Sequence, residues 1–331
     1  MDDNLHTTHN DIVIIGAGMA GLACASQLIA AGRDVRVLDK GRGPGGRMAA
    51  RRANVAGQPS AFDHGAQYFT ARDPGFQAAV EGWHNAGAVA PWPVAGADAW
   101  VGTPGMNGPI KAMAQDAQVH WSTRAAALTR DAQGWRIEAE ELNETGGKPR
   151  IFGARTILVA VPAEQAAQLL AEAASELGDL AAQVTSQPCW AVMAGFDAPL
   201  DGLPDCVRSD DGPISWAARN SAKPQRSGTE NWVLHASPAR SRELLDLPKD
   251  EVAAILLGDF FAQTGLRAAV PVHNVAHRWL YAMPASLKGE AARFDPAQAI
   301  GIAGDYLHSP RVEGAWISGA SLAQKVLAHT D

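Results

Sequence analysis

At 331 residues the chain is long enough for a large core and two lobes, and 47% hydrophobic with 19% charged residues excludes a disordered chain. A net charge of −7, from 28 basic and 35 acidic residues, leaves no basic footprint for nucleic acid. Three cysteines without Cys-x-x-Cys spacing (Cys24, Cys189, Cys206) argue against a disulfide framework or a zinc site and suit a reducing compartment.

Residues 1–10 are polar and carry Asp2 and Asp3, unlike a secretory signal. Further along, no apolar run approaches the roughly 20 residues that span a bilayer. A cytoplasmic protein with no membrane partner is expected. Residues 12–15 form a short apolar run ended by Gly16, the pattern of a buried parallel strand. Helical spacing follows over 19–31, with Leu22, Ala25, Leu28 and Ile29 on one face and Gly32 as the stop. Residues 35–38 are the second strand, completing a βαβ unit. Alternation over 119–139 predicts antiparallel strands with a turn at 132–134. Residues 156–161, closed by Pro162, predict another buried strand, with a helix over 164–174 after it. The last strand is expected at 300–303 and the last helix at 315–328. The stretches left over, 73–105 and 187–276, hold Trp83, Trp92, Trp100, Trp190, Trp216 and Trp232 and read as a second lobe. Within it, 219–228 reads as an exposed loop.

The chemistry concentrates at the two ends. Gly16 permits a tight turn, Gly18 lets backbone approach a pyrophosphate, and Gly21 allows close helix–strand packing. The helix start offers free N–H groups and partial positive charge, and Asp39, 18 residues after Gly21, can accept from a ribose hydroxyl. The loop that follows, with Lys40, Arg42, Gly45, Gly46 and Arg47, suits an extended two-phosphate cofactor, with Arg47 as a charged fork. Then come Asp63, His64, Gly65, Ala66, Gln67 and Tyr68, a small-residue stretch able to bring a backbone edge and Gln67 near a planar ring. Near the C-terminus, Gly304 and Asp305 follow a strand, with Asp305 an acceptor for a polyol hydroxyl. Glu313, Gly314 and Ala315 open a helix whose N–H groups can stabilise developing negative charge. A ligand held by both ends of one chain points to FAD rather than NAD.

The motifs Gly16-x-Gly18-x-x-Gly21, Asp39-Lys40, Gly45-Gly46-Arg47-Met48, Gly65-Ala66-Gln67-Tyr68-Phe69-Thr70 and Arg311-Val312-Glu313-Gly314-Ala315 together resemble the FAD-dependent amine-oxidase-like superfamily. Within it, the stretches around Trp216–Pro224, Trp232–Ala236 and Ala276–Ala282 are similar to the bacterial renalase-like proteins, so the resemblance runs over nearly the whole chain. It implies an α/β fold: a Rossmann-like FAD-binding lobe with an inserted mixed-sheet substrate lobe, as in p-hydroxybenzoate hydroxylase. The FAD lobe would comprise 1–72, 106–186 and 277–331, the substrate lobe 73–105 and 187–276. The implied cofactor set is Gly16, Gly18, Ala20, Gly21, Asp39, Lys40, Arg42, Gly46, Arg47, Ala66, Gln67, Tyr68, Ala125 (backbone, toward adenine), Gly304, Asp305, Glu313, Gly314 and Ala315. The implied reaction is oxidation of the 2- and 6-dihydro isomers of NAD(P)H to NAD(P)+ by hydride transfer to flavin, with O2 reoxidation giving hydrogen peroxide.

That chemistry needs no acid or base, because hydride loss regenerates an aromatic pyridinium. It needs a stacked ring and excluded water. Gln67, Trp216, Arg219, Asn220, His235, His277, Trp279 and Tyr281 are the candidates for holding such a ligand, and no side chain is assigned a catalytic role. His273 and His277 would form a metal pair on a helix, but their surroundings read as a strand, so no metal is expected. With no Cys or His placed for a linkage, FAD would be bound non-covalently. The alternatives are a flavin amine oxidase acting on a small amine and a flavin-binding protein without turnover.

Overall fold

The computed structural model describes residues 8–143, 146–228 and 230–329, so most of the polar 1–10 stretch lies outside it. Packing divides the chain into two compact units: residues 1–46, 110–185 and 284–331, and residues 47–109 and 186–283. This division falls elsewhere than the functional one expected from the sequence, since 47–72 and 277–283 pack with the second unit.

The first unit is built on a parallel core. Among the described residues its sheet has eight strands, with the path Ala292–Asp295, Ile300–Ala303, Gly146–Val159, Thr8–Ile15, Val35–Leu38 and Gln118–His120. Ile12, Val13 and Ile14 are fully buried, as expected of a strand covered on both faces. The strand Gly146–Val159 serves twice: its first part pairs antiparallel with Gly134–Asn143, its second part parallel with Thr8–Ile15. The hairpin Thr123–Asp131 and Gly134–Asn143 turns where alternation breaks, with Gly134 at φ +128°. The helix Met19–Ala30 and the strands Val35–Leu38 and Ile300–Ala303 stand where the residue pattern puts them. Where one helix over 164–174 is expected, two form, Ala163–Leu170 and Ser175–Ala182. The alanine-rich run carries no stop residue; Leu170 at the end of the first helix and Ala174 before the second are both buried in the core.

The second unit holds a five-stranded sheet in the order Cys206–Arg208, Ile214–Arg219, Glu230–Ala236, Ser186–Phe196, His273–Pro284, antiparallel through the first four. The helix Lys249–Thr264 ends on Gly265 in the left-handed region (φ +70°) and contributes Leu256 and Phe260 to a core with Trp190, Phe196 and Trp232. A hairpin of Ala50–Val55 and Gln58–Asp63 adds Val55 and Phe62 beside Met193 and Val233. The segment 219–228 is not the exposed loop its Asn, Ser, Pro and Gly content predicts. It opens with a short turn at Asn220–Ala222, and Asn220 and Lys223 are buried. Partners more than 150 positions away in sequence hold it inside. Among the described residues no helix is long and apolar enough to cross a membrane.

Candidate functional site

In the first unit, the strand Thr8–Ile15 runs into Gly16, which adopts φ +110° and donates its N–H to Leu38 O at 2.8 Å. A Cβ on Gly16 would collide with Ala160 O, and one on Gly21 with Gly16 O, so both glycines serve close packing. Gly18 differs. It caps the helix Met19–Ala30 with no side-chain hydrogen bond, and a Cβ there would meet nothing within 4 Å. Open space in front of an uncapped helix start is the geometry that receives a phosphate. Gly46, in the left-handed region (φ +52°), approaches the same glycine.

Asp39 lies at the end of the second strand. Its carboxylate accepts from Ala17 N and Gly41 N, each at 2.6 Å, which ties the strand end to the glycine turn. Burial raises its pKa, and the two N–H groups and Lys40 offset this only in part. Lys40 reaches Gln165 Oε1 at 3.0 Å, and Arg42 is exposed. The backbone of Ala20 lies against Gly319, where a Cβ would collide with Ala20 O, so Ala20 is a helix-crossing residue. Ala125 sits opposite Ala139, next to an irregularity in the hairpin ladder.

The last strand of this unit, Ile300–Ala303, ends in Gly304, where a Cβ would strike the Tyr306 ring. Gly304 N donates to Ser318 Oγ at 2.8 Å, and Asp305 is buried. The helix Val312–Leu327 starts after Arg311, again without a side-chain cap, with Glu313 buried in its first turn and Gly314 fitted against Ser309 O. Two helix starts without side-chain caps thus follow parallel strands of one mixed sheet, each with an aspartate nearby in sequence. The sheet's carboxyl edge is where open α/β sheets bind ligands. These residues fit FAD: the space at Gly18 is what a phosphate needs, and Asp39 and Asp305 suit sugar and polyol hydroxyls.

In the second unit, three rings gather. His64 lies 4.8 Å from His277 and 5.0 Å from Trp279, and His277 lies 4.4 Å from Trp279. Tyr281 follows on the same strand face, half-buried. Arg278 points the other way, donating to Leu245 O and lying over Trp190. Burial, then Arg51, then Lys249 push His277 down to about 4. Burial and His277 do the same for His64, and burial and Lys223 for His235, both also about 4. All three imidazoles are therefore neutral at neutral pH. His273 stacks on Phe62, and no group of three His, Cys, Asp or Glu among the described residues is arranged for a metal.

Several candidates turn inward. Gln67 donates to Asp63 O and Gly65 O and accepts from Lys223 Nζ at 3.1 Å, so its whole amide is committed within the unit. Ala66 N donates to Arg47 O, and Arg47 Nη1 reaches Ala282 O at 3.4 Å. Arg219 is held by Asp205, Glu230 and Leu200 O. Asn220 bridges the Ala61–Asp63 strand end, donating to Ala61 O and accepting from Asp63 N. These bonds tie the four side chains and the turn into the scaffold of the unit. Trp216 stacks on Tyr68 at 5.3 Å, with the Arg208 guanidinium over both rings.

Sequence reasoning missed the centre of this unit. Asp63 is buried and accepts from Met106 N, Lys223 Nζ and Arg226, and Lys223 lies over the buried ring of Trp92. Burial alone would raise the Asp63 carboxyl, but Lys223 and Arg226 overcome it and hold it below the ordinary range. Its neighbour His64 was equally unmarked. Both stand in a motif noted only for its glycine and glutamine, and nothing local signals a partner 160 residues away.

Comparison with known proteins agrees with the first unit's geometry. The family profile of the NAD(P)-binding Rossmann-like domain matches residues 14–81, and that of flavin containing amine oxidoreductases matches residues 94–327. A lysine-specific histone demethylase 1 homolog 3 of Oryza sativa subsp. indica is 41% identical over 64 residues, 19% of this chain and 8% of that protein. Hydroxyneurosporene desaturase of Rubrivivax gelatinosus is 46% identical over 65 residues, 20% of this chain and 11% of that one. The chain thus matches only a small part of each relative's length. Among solved structures, a proposed protoporphyrinogen oxidase of Exiguobacterium sp. 255-15 superposes with a TM-score of 0.72 at 14% identity, over 98% of this chain and 100% of that one. A putrescine oxidase bound to putrescine gives 0.72 at 14%, over 97% and 100%. At that identity the likeness is one of fold.

Proposed function

The chain belongs to the flavin containing amine oxidoreductase family and is an oxidoreductase with non-covalently bound FAD; on that premise we propose that it is a renalase-type oxidase of 2- and 6-dihydro isomers of NAD(P)H. A p-hydroxybenzoate hydroxylase-like arrangement and a cytoplasmic location belong to the same reading. Bound FAD supplies a two-electron acceptor for hydride and passes the electrons to O2, giving hydrogen peroxide. Unit 1 would hold it through Gly16, Gly18, Asp39, Asp305 and the Glu313–Ala315 helix start. Unit 2 would recognise the substrate, chiefly through His277, Trp279, Tyr281, His235 and Trp216.

The observation that carries the substrate reading is the electrostatics of unit 2. Its ring cluster is neutral, and the charges acting on His277 are the positive groups Arg51 and Lys249. The buried carboxylate of Asp63 is consumed by two cations, and Asp205 and Glu230 by Arg219. An ammonium substrate would find no free carboxylate among these and a field of its own sign. A dinucleotide brings a planar ring for the aromatic residues and a pyrophosphate for the positive field. Amine oxidation also requires an ammonium to lose a proton, and an imidazole held at about 4 is a weak base for that. Hydride loss from a dihydropyridine makes no such demand. Here the imidazoles and indoles orient the ring and exclude water.

The test is anaerobic mixing of FAD-loaded protein with 2- or 6-dihydro-NAD(P), following the visible flavin band. Rapid bleaching, with peroxide on readmission of air, supports the reading. Bleaching by putrescine or another small amine but not by the dihydro isomers would replace it with amine oxidation, and FAD retained without reduction by any donor would leave a binding protein.

A further inference from the structure

We propose that Met283 is a modification site of the second unit, the methionine that hydrogen peroxide oxidises first, and that its sulfoxide weakens the ligand face on which it stands. The inference rests on the oxidase reading above for the source of the peroxide. It begins from the exposure of the sulfur side chains. Met19, Met48, Met106, Met113 and Met193 are at most 8% exposed, whereas Met283 is 51% exposed. The thiols are closed to the same oxidant by their protonation, since the thiolate is the form that attacks peroxide. Burial pushes the Cys189 thiol up to about 12 and raises Cys24 and Cys206 as well. A thioether carries its lone pairs at every pH and needs no deprotonation. Among the described residues, Met283 is therefore the sulfur side chain open to peroxide.

Its place in the fold gives the oxidation a consequence. Met283 lies on the strand His273–Pro284, where side chains two apart share a face. His277, Trp279 and Tyr281 precede it on that face, and Met283 extends the row by one repeat, about 7 Å beyond Tyr281. The backbone around it is held: Arg47 Nη1 reaches Ala282 O at 3.4 Å, and Pro284 is buried. A ligand lying along the three rings meets Met283 as the next apolar, polarisable surface. In the oxidation a sulfur lone pair attacks one peroxide oxygen, so that an S–O bond forms as the O–O bond breaks. The second oxygen leaves as hydroxide and takes up a proton to become water. Sulfur loses two electrons and the peroxide gains them. The product is a polar, chiral sulfoxide. Its oxygen is hydrated and must be stripped of water before a ligand covers it, so that end of the face loses affinity. Because the peroxide is released by the reaction the face serves, the loss grows with turnover.

The experiment uses FAD-loaded protein and three chains: the native one, Met283→Leu and Met283→Gln. Each is treated with dilute hydrogen peroxide, the oxidised residues are mapped by peptide mass spectrometry, and KM for the dihydro-NAD(P) isomers is measured before and after. The native chain is expected to gain one oxygen at Met283 before any other methionine, with KM raised several-fold and the thermal midpoint unchanged. Met283→Leu, close in volume and without sulfur, should show one KM before and after treatment. Met283→Gln, whose amide stands in for the sulfoxide dipole, should show the raised KM without peroxide. Turnover of the native chain in air should oxidise Met283 unaided, and catalase should prevent it. Oxidation that starts at another methionine overturns the proposal, as does a Met283 sulfoxide that leaves KM at its native value. In a chain that the dihydro isomers do not reduce, Met283 oxidised first by added peroxide, with a raised KM for the amine that does reduce it, would keep the proposal and remove the dihydro-nucleotide reading. Turnover of the dihydro isomers with Met283 untouched by peroxide would do the reverse.

Discussion

The indole Nε1 of Trp279 donates to the backbone oxygen of His64 at 2.7 Å while the two rings lie 5.0 Å apart, so a strand residue and a hairpin end 215 positions earlier are locked as one surface. The neighbouring Gly65 is required for this approach, because a Cβ there would collide with Arg47 O and stand 3.4 Å from the Trp279 ring. The surface is aromatic, and its His277 is held neutral by burial, Arg51 and Lys249.

Trp279→Phe keeps a ring and removes the hydrogen bond. The expected loss is about 1 kcal/mol of stability. With the ring freed to tilt, KM for the dihydro-NAD(P) isomers should rise several-fold while kcat changes less. Steady-state kinetics with a thermal melt checks both, and a KM equal to the native value would remove Trp279 from the ligand face.

Asp63→Asn leaves two buried cations without their carboxylate. Breaking a buried pair in this way costs about 3–5 kcal/mol, which in a chain of this size lowers the thermal midpoint by on the order of 10 °C. Differential scanning calorimetry reads it directly. A midpoint within a degree of native would mean the cluster contributes nothing to folding.

The three neutral histidines give stability a defined acid limb. His64, His235 and His277 have folded pKa values of about 4, below the ordinary 6.5. The unfolded chain therefore binds more protons between those two values, and stability rises with pH across that window. Stability is fully present above about 6.5 and is lost as the pH falls toward 4. Thermal midpoints measured across that range should fall steadily, and His277→Gln should flatten the curve.

Gly18 and Gly21 separate cofactor binding from packing. Gly18 has φ −82° and ψ −171°, which other residues adopt, and free space before it. Gly18→Val is expected to fold, with native-like circular dichroism, and to purify without flavin. Gly21→Val forces its side chain into Gly16 O and should lose the fold itself. A yellow, fully loaded Gly18→Val protein would show that no phosphate sits at that helix start.

Much of unit 1 was legible because its signals are local. A four-residue apolar strand, a glycine turn, a helix with one apolar face and an acidic residue after the next strand are each decided within a few residues of chain, and parallel pairing follows from their order. The resemblance of the terminal motifs then named the cofactor. Unit 2 offered no such grammar. Arg219, Asn220 and Lys223 looked solvent-bound because polar residues beside Ser and Pro usually are, and only the arrival of Asp63 and Ala61 beside them buries them.

What the sequence by itself determined is therefore the glycine-turn βαβ unit, the hairpin at 132–134, and the last strand and helix. Tertiary structure alone decided which polar residues brace the scaffold. Periodicity and turn chemistry act between neighbours in sequence, whereas the fate of Gln67, Arg219 and Lys223 depends on charges and hydrogen-bond partners brought together from distant segments. A buried charge is stable only with those partners in place, and no stretch of sequence shows them.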